Sequence, residues 1–304
     1  MREEAAGATP LAAWIAALVL FLATLAGVYL LPIRSLVDRV LADDYRAAAR
    51  AVLIPEASPN SAHERLVVVI GDSLARCAFE ESAQSIVRLR SGQAARIVLL
   101  AGGGTRLERL GGTMALVDRK PDLLLIQDDL LLPIAPAVAS LAEVIGEAAT
   151  LVKHAGRRLV IGAEVFPKCL RTAQTDTQRW QHLRAKRKDD LERKVRDINL
   201  MYDKTEVDTN ARKFVTQALL ERVPTALISI ARAPSLESRT GNVARWRTQV
   251  VTPFASRLAL SRWQVDAIGS DDDYSDYAHL NGAGGAKFAA LLAPRLEAFL
   301  AEGR

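Results

Sequence analysis

The chain has 304 residues, of which 50% are hydrophobic and 25% charged, with a formal net charge of +5. That length holds one large domain or two modest ones around a sizeable core. So slight a charge excess, with both signs interspersed, excludes nucleic-acid binding over the whole surface. The two cysteines, Cys77 and Cys169, are far apart and lack ligand-type spacing, which argues against a zinc site. Free cysteines are commonly buried, so two lone thiols are expected, with a disulfide open if the domain lies in an oxidising compartment.

In chain order, the stretch from Leu11 to Leu31 comes first. It carries no charge, is long enough for a helix to cross a bilayer, and has Trp14 and Tyr29 near its ends where amphipathic rings favour the interface. No cleavage site closes a short apolar core, so residues 1–34 are expected to be an uncleaved single-pass anchor. Arg34, Arg39, Arg46 and Arg50 follow it while Arg2 alone precedes it, a bias that by itself would place the C-terminal side in the cytoplasm. Residues 35–64 read as a juxtamembrane amphipathic helix, with Leu36, Val40, Leu41, Tyr45, Ala48 and Val52 at helical spacing, and then a linker broken by Pro55 and Pro59.

From Arg65 to the end the rhythm changes. Short apolar runs at 66–70, 97–100, 123–126, 159–165 and 225–230 alternate with helical stretches. Runs of this kind suit strands buried on both faces, and the alternation predicts a three-layer α/β domain with a parallel sheet. A basic insertion at 172–204, with Leu183, Leu191, Val195, Ile198 and Leu200 spaced along it, interrupts the alternation as a helix or helical pair. It reads either as a solvated charged face or as a lid or docking surface for an anionic polymer or lipid headgroups.

Ligands of parallel α/β sheets bind outside the carboxyl ends of the strands. Gly71-Asp72-Ser73-Leu74 follows the first run, so a serine stands at a strand end on a turn into a helix. Glycine permits the tight turn, and the Ser73 backbone N–H can face a developing oxyanion. Alone, the tripeptide is often a helix cap. A nucleophilic serine needs a base, and the chain has 4 histidines. His63 and His154 precede strands and so lie at the opposite end of the sheet, and His182 is inside the insertion. His279 remains, with Asp276 three residues before it, a spacing at which the carboxylate reaches the ring and fixes its tautomer.

These two motifs together, Gly-Asp-Ser near the start of the domain and Asp-x-x-His near its end, resemble the SGNH (GDSL-like) hydrolase superfamily, over nearly all of Arg65 to Leu300 of the expected domain at 65–304. The resemblance implies a flavodoxin-like parallel sheet, with Ser73 as nucleophile, His279 as base, Asp276 as its orienter, and no metal or cofactor. It implies an oxyanion hole built from the Ser73 N–H, a glycine of the run Gly102–Gly104, for which Gly103 is chosen, and a third-block residue. That block departs from the family pattern: Gln127-Asp128-Asp129 stands where an asparagine is expected, so either Gln127 supplies the amide or the hole is incomplete. A phosphate-cradling reading of the glycine run lacks the following Lys-Ser/Thr.

Members of the superfamily are esterases, lipases and carbohydrate O-acetyl transferases or deacetylases, and tethered members often work on envelope polysaccharides beside a membrane-bound acyltransferase. The resemblance therefore implies a serine esterase or O-acyltransferase acting on acylated carbohydrate. It also implies a place on the cytoplasmic membrane with the domain periplasmic, against the arginine bias, and no nucleic-acid partner is expected. The rival expectation is a catalytically weak or inactive domain that binds polysaccharide or a membrane acyltransferase.

Overall fold

The structure is a computed structural model that describes residues 13–20, 65–79, 84–88, 94–101, 107, 120–133, 188–265 and 268–302. The chain divides into two units, Met1–Asp43 with Ala135–Ala163, and Asp44–Ile134 with Glu164–Arg304. In the first, residues 13–20 form an exposed helical stretch inside the expected anchor. Among the described residues no helix is long and apolar enough to cross a membrane. The rest of the expected anchor, and the juxtamembrane helix and linker at 35–64, lie outside them.

The second unit is built on a six-stranded sheet. Its strands are β1 (Arg65–Gly71), β2 (Gln84–Arg88), β3 (Ala94–Ala101), β4 (Leu123–Gln127), β5 (Thr225–Ile230) and β6 (Ser261–Val265). Their order across the sheet is β2-β3-β1-β4-β5-β6. All neighbours pair in parallel except β2, which runs antiparallel to β3 at one edge. The five parallel strands thus stand in the order 2-1-3-4-5 of a doubly wound α/β sheet, whose crevice opens where the chain reverses direction beside its first strand.

The apolar runs explain the centre of this sheet. Val68, Val69 and Ile70 of β1 are fully buried, as are all five residues of β4 and nearly all of β5. Each buried Val, Leu or Ile among them contributes about 1.5–3 kcal/mol relative to exposure. Successive side chains alternate faces, so burial of Val67 and Val69 on one side and Val68 and Ile70 on the other requires cover on both.

Two strands were not expected. The edge strand β6 reads Ser-Arg-Trp-Gln-Val and buries Trp263 and Val265 while Ser261 and Gln264 stay exposed. A one-sided strand of this kind has no continuous apolar run to betray it. Strand β2 is similarly short and polar. The run at 159–165, read as a strand following β4 in sequence, lies outside the described residues; both edges of β4 are filled by β1 and β5.

Two helices bring the ends of the domain together. Helix α1 (Ser73–Phe79) leaves β1 directly, and the long C-terminal helix, Gly282–Glu302, packs beside it. That helix buries Phe288, Leu292, Leu296 and Leu300, one residue per turn on a single stripe, in the same cluster as Leu74, Ala75 and Ala78 of α1 and Val67 and Val69 of β1. Phe79 and Phe288 meet edge to face with ring centroids 5.2 Å apart. The start of α1 and the loop preceding the C-terminal helix therefore share one end of the sheet.

Between β4 and β6 lie α2 (Lys188–Met201), α3 (Thr209–Leu220), the short α4 (Pro234–Glu237), and a continuous helix of α5 (Gly241–Trp246), a π-turn (Arg247–Val251) and α6 (Thr252–Arg257). The C-terminal helix is α7. Helix α2 is the described part of the basic insertion, and it is not simply a solvated face. Leu191, Val195 and Ile198 pack against Leu236 of α4 and Tyr277. Cys77, buried on α1, is disulfide-bonded, which replaces the expected lone thiol; Cys169 lies outside the described residues.

Candidate active site

Gly71 makes the turn between β1 and α1 possible through lack of a side chain. A Cβ there would fall 2.1 Å from the Ala75 Cβ and 2.8 Å from the Gln127 Oε1. Asp72 then caps the helix, its carboxylate accepting the Leu74 N–H at 2.7 Å. Ser73 is the first helical residue, so its own N–H has no intrahelical carbonyl to meet. The turn sits at the carboxyl end of β1, where the topology opens the crevice.

The opposing loop, from Tyr274 to Leu280, closes on itself. Tyr274 and Leu280 form an antiparallel bridge, and the Ser275 N–H donates to the His279 carbonyl at 2.8 Å. Asp276 Oδ1 accepts the backbone N–H groups of Ala278 at 2.6 Å and His279 at 2.8 Å, a tight local turn of the kind aspartate side chains stabilise. Asn281 anchors the loop's end: its Oδ1 caps α7 through the Gly284 N–H at 3.0 Å, and its Nδ2 donates to the Asp272 carbonyl at 2.6 Å. A Cβ on Gly284 would lie 2.1 Å from the Asp273 carbonyl oxygen, so that helix starts hard against the loop.

Across the crevice the two parts meet. His279 Nδ1 lies 2.8 Å from Asp276 Oδ2, and His279 Nε2 lies 2.8 Å from Ser73 Oγ, across 206 positions of sequence. A carboxylate at Nδ1 selects the tautomer with its proton there, leaving Nε2 to accept from the serine hydroxyl. Burial alone would push the Asp276 carboxyl up. The hydrogen bond and charge of His279, joined by the two backbone N–H groups, outweigh it and hold the group well below the usual carboxylate range. The pair keeps access to solvent, with side-chain exposures of 29% for His279 and 38% for Asp276.

Gln127 stands at the end of β4 as expected, but its side chain is fully buried. Its Oε1 accepts the Asp72 N–H at 2.9 Å, and its Nε2 donates to Asp129 at 2.8 Å. The carboxamide therefore faces the protein on both sides, and holds the turn carrying Ser73 in place of presenting itself at the crevice. Gly103 lies outside the described residues.

Beneath Gln127 lies a charged cluster absent from the sequence reading. Asp129 accepts from the Tyr202 hydroxyl at 2.5 Å and from Arg232 Nη2 at 3.2 Å, and the same Arg232 nitrogen donates to the Tyr202 oxygen at 2.6 Å. Asp128 accepts from the Ser229 hydroxyl and pairs with Arg247, whose Nη1 donates to Glu237 at 2.9 Å. Burial would raise Asp129, but the charges of Arg232 and Arg247 with the Tyr202 and Gln127 hydrogen bonds hold it below its ordinary value. For Asp128, burial wins against Arg247 and pushes it up to about 6. Asp72 is also raised, by burial first and then by the charge of Asp129. Asp128, Asp129 and Arg232 all follow strand ends, so the same search of loops after strands that found Ser73 also points at them. What hides them in sequence is that their partners lie about a hundred positions away and that Tyr202 and Arg247 stand away from strand ends, just past α2 and at the start of the π-turn.

No protein-family model matches the sequence, nor does any curated protein. Among solved structures, an active-site mutant of a family two carbohydrate esterase from Clostridium thermocellum is 10% identical with a TM-score of 0.31. The family two carbohydrate esterase from the same organism in complex with cellohexaose is 12% identical with a TM-score of 0.27. Each alignment covers 78% of this chain and 64% of the other, so the chain spans less than two thirds of their length. A likeness this slight leaves the weight on the geometry of Ser73, His279 and Asp276.

Proposed function

We propose that the chain is a serine esterase or O-acyltransferase of the SGNH kind, acting on ester-linked acyl groups of carbohydrate. The observation that carries this reading is the hydrogen-bonded line Ser73–His279–Asp276, with its two 2.8 Å contacts. His279 Nε2 takes the Ser73 proton as Oγ attacks the ester carbonyl, and Asp276 stabilises the imidazolium without accepting a proton. The tetrahedral oxyanion forms against the Ser73 N–H, with Gly103 as the expected second donor. Collapse expels the alkoxide, which takes the proton from His279 and leaves an acyl-serine. Water or a sugar hydroxyl then attacks that acyl group with His279 again as base, giving hydrolysis or transfer respectively.

In this reading the domain lies outside the cytoplasm, tethered through residues 1–34 and working on envelope carbohydrate, alone or beside a membrane acyltransferase. The disulfide at Cys77 supports that placement, because such bonds persist in oxidising compartments. Alkaline phosphatase fused after Arg304 is expected to be active. A silent fusion with a fluorescent cytoplasmic reporter at the same site would overturn the placement.

The second reading, a domain that binds polysaccharide or an acyltransferase without turnover, draws on one observation: Gln127 is buried and committed to Asp72 and Asp129. Labelling of the purified chain by a fluorophosphonate decides between them. The esterase reading expects rapid labelling that Ser73→Ala abolishes and turnover of short-chain aryl esters. Absence of both would leave the binding reading.

A further inference from the structure

The esterase geometry depends on two segments, the Ser73 turn and the Asp276–His279 loop, which meet at the Ser73–His279 contact. The packing of α1 against α7 brings them to one end of the sheet, and a further element spans the two. The loop after β5, Ala231-Arg232-Ala233, touches both sides.

On the serine side, Arg232 donates to Asp129, Asp129 accepts from Gln127, and Gln127 accepts the N–H of Asp72, the residue before Ser73. On the histidine side, the Ala233 N–H donates to the Tyr277 carbonyl at 3.0 Å, and the Tyr274 hydroxyl donates to the Ala231 carbonyl at 3.3 Å. Two residues further on, the Ser235 N–H donates to Asp271 at 3.0 Å. Arg232 itself is held from several sides, although its Nη1 has no hydrogen-bond partner and meets Glu237 only as a 3.9 Å ion pair. Its side chain is 5% exposed, it lies 5.2 Å over the Tyr202 ring, and its own backbone N–H donates to Glu237 at 3.2 Å.

We propose that Arg232 is a positioning residue for the triad: its guanidinium holds the Ser73 turn through Asp129 and Gln127 while its flanking backbone holds the Asp276–His279 loop. The proposal rests on the esterase reading for its kinetic consequence. Arginine suits the task because one nitrogen, Nη2, donates to Asp129 and Tyr202 at once while the guanidinium lies over the Tyr202 ring, a combination that a lysine ammonium on a flexible stem reproduces less well. A misplacement of about 1 Å between nucleophile and base costs on the order of 10²-fold in rate, so a brace of this kind acts on kcat while substrate contacts remain.

The test uses the detergent-solubilised full chain with Gln127→Met, Arg232→Met, Arg232→Lys and the double variant Gln127→Met/Arg232→Met. Three readouts are taken: kcat and KM on an aryl ester, thermal midpoint, and amide exchange at Asp72 and Ala233. Each single Met variant is expected to lower kcat about 10- to 100-fold with KM within about twofold. The double variant is expected to be no slower than the worse single, because both break one chain. Arg232→Lys, the variant that keeps the charge if Arg232→Met does not fold, recovers part of the loss. Exchange at Asp72 accelerates in every variant, while that of Val68 and Leu125 in the core does not.

A lowered midpoint with kcat intact would make the cluster structural only and overturn the proposal. Additive losses in the double variant would do the same. A slow Gln127→Met beside a normal Arg232→Lys, with Asp72 exchange unaltered, would mean instead that Gln127 donates to the oxyanion directly. Should the wild type take no fluorophosphonate, the esterase reading falls by itself, and exchange at Asp72 and Ala233 still decides whether Arg232 holds the two segments.

Discussion

The two halves of the candidate site are held in opposite ways. The Asp276–His279 loop is self-supporting: Asp276 binds its own backbone two and three residues on, Ser275 closes on His279, and Asn281 ties the end to Asp272 and Asp273. The Ser73 turn has two local bonds to Asp72, from the N–H groups of Leu74 and Arg76, and also leans on Gln127, 55 positions away from Asp72. With His279 as the proposed base and Ser73 as the proposed nucleophile, a site held locally on one side and from a distance on the other is sensitive to different substitutions on its two sides. The first side should lose chemistry and keep its fold, and the second should lose both together.

The largest expected effect is at the residues where the halves meet. Ser73→Ala or His279→Ala should lower kcat for aryl-ester hydrolysis by roughly 10³–10⁶-fold with the circular dichroism spectrum unaltered; wild-type rates in either would remove the triad. Asp276→Asn follows, with a loss of roughly 10⁴ from the wrong tautomer, and it also tests how local the loop is. The folded-state pKa of Asp276 is depressed, so its contribution to stability is fully present above the ordinary carboxylate value of 3.8 and is lost as pH falls through the folded value. The gap in thermal midpoint between wild type and Asp276→Asn should thus be constant from pH 8 to 6 and close below about pH 4. A gap independent of acid would contradict the pairing.

On the nucleophile side, Gly71→Ala should lower stability by about 1–3 kcal/mol and slow turnover, because a Cβ 2.1 Å from the Ala75 Cβ forces α1 off the sheet. Denaturant unfolding and kcat, measured on one preparation, should fall together. The smallest effect is expected on α2. Ile198→Ala trims a half-buried side chain that packs against Leu236 and Tyr277, and about 1 kcal/mol of stability should be lost. If kcat fell more than about tenfold there, the loop would be less self-supporting than its hydrogen bonds imply.

Much of this arrangement is legible from residues alone where the cause is local or strongly patterned. The runs at 66–70, 97–100, 123–126 and 225–230 announce central strands because both sheet faces are covered, and all four are strands. The motif around Ser73 is readable because glycine, a capping acid and a serine at a strand end form a local turn. Asp276 and His279 are readable because three residues of separation already place an acid beside a ring. The edge strand β6 escaped notice because it alternates, and β2 because it is short and polar.

Tertiary structure decided the rest. That Ser73 and His279 touch follows from α1 and α7 packing on one sheet face, a contact between the first and last helices of the described domain that no local pattern encodes. Position at the strand end made Gln127 a candidate donor, whereas its burial between Asp72 and Asp129 turned the amide inward. The partners of Asp129 come from the residue after α2 and the loop after β5, and a carboxylate's protonation depends on how far water is excluded and which charges lie within a few ångströms. Those are properties of packing, whereas strand, turn and acid-base spacing are properties of a few consecutive residues.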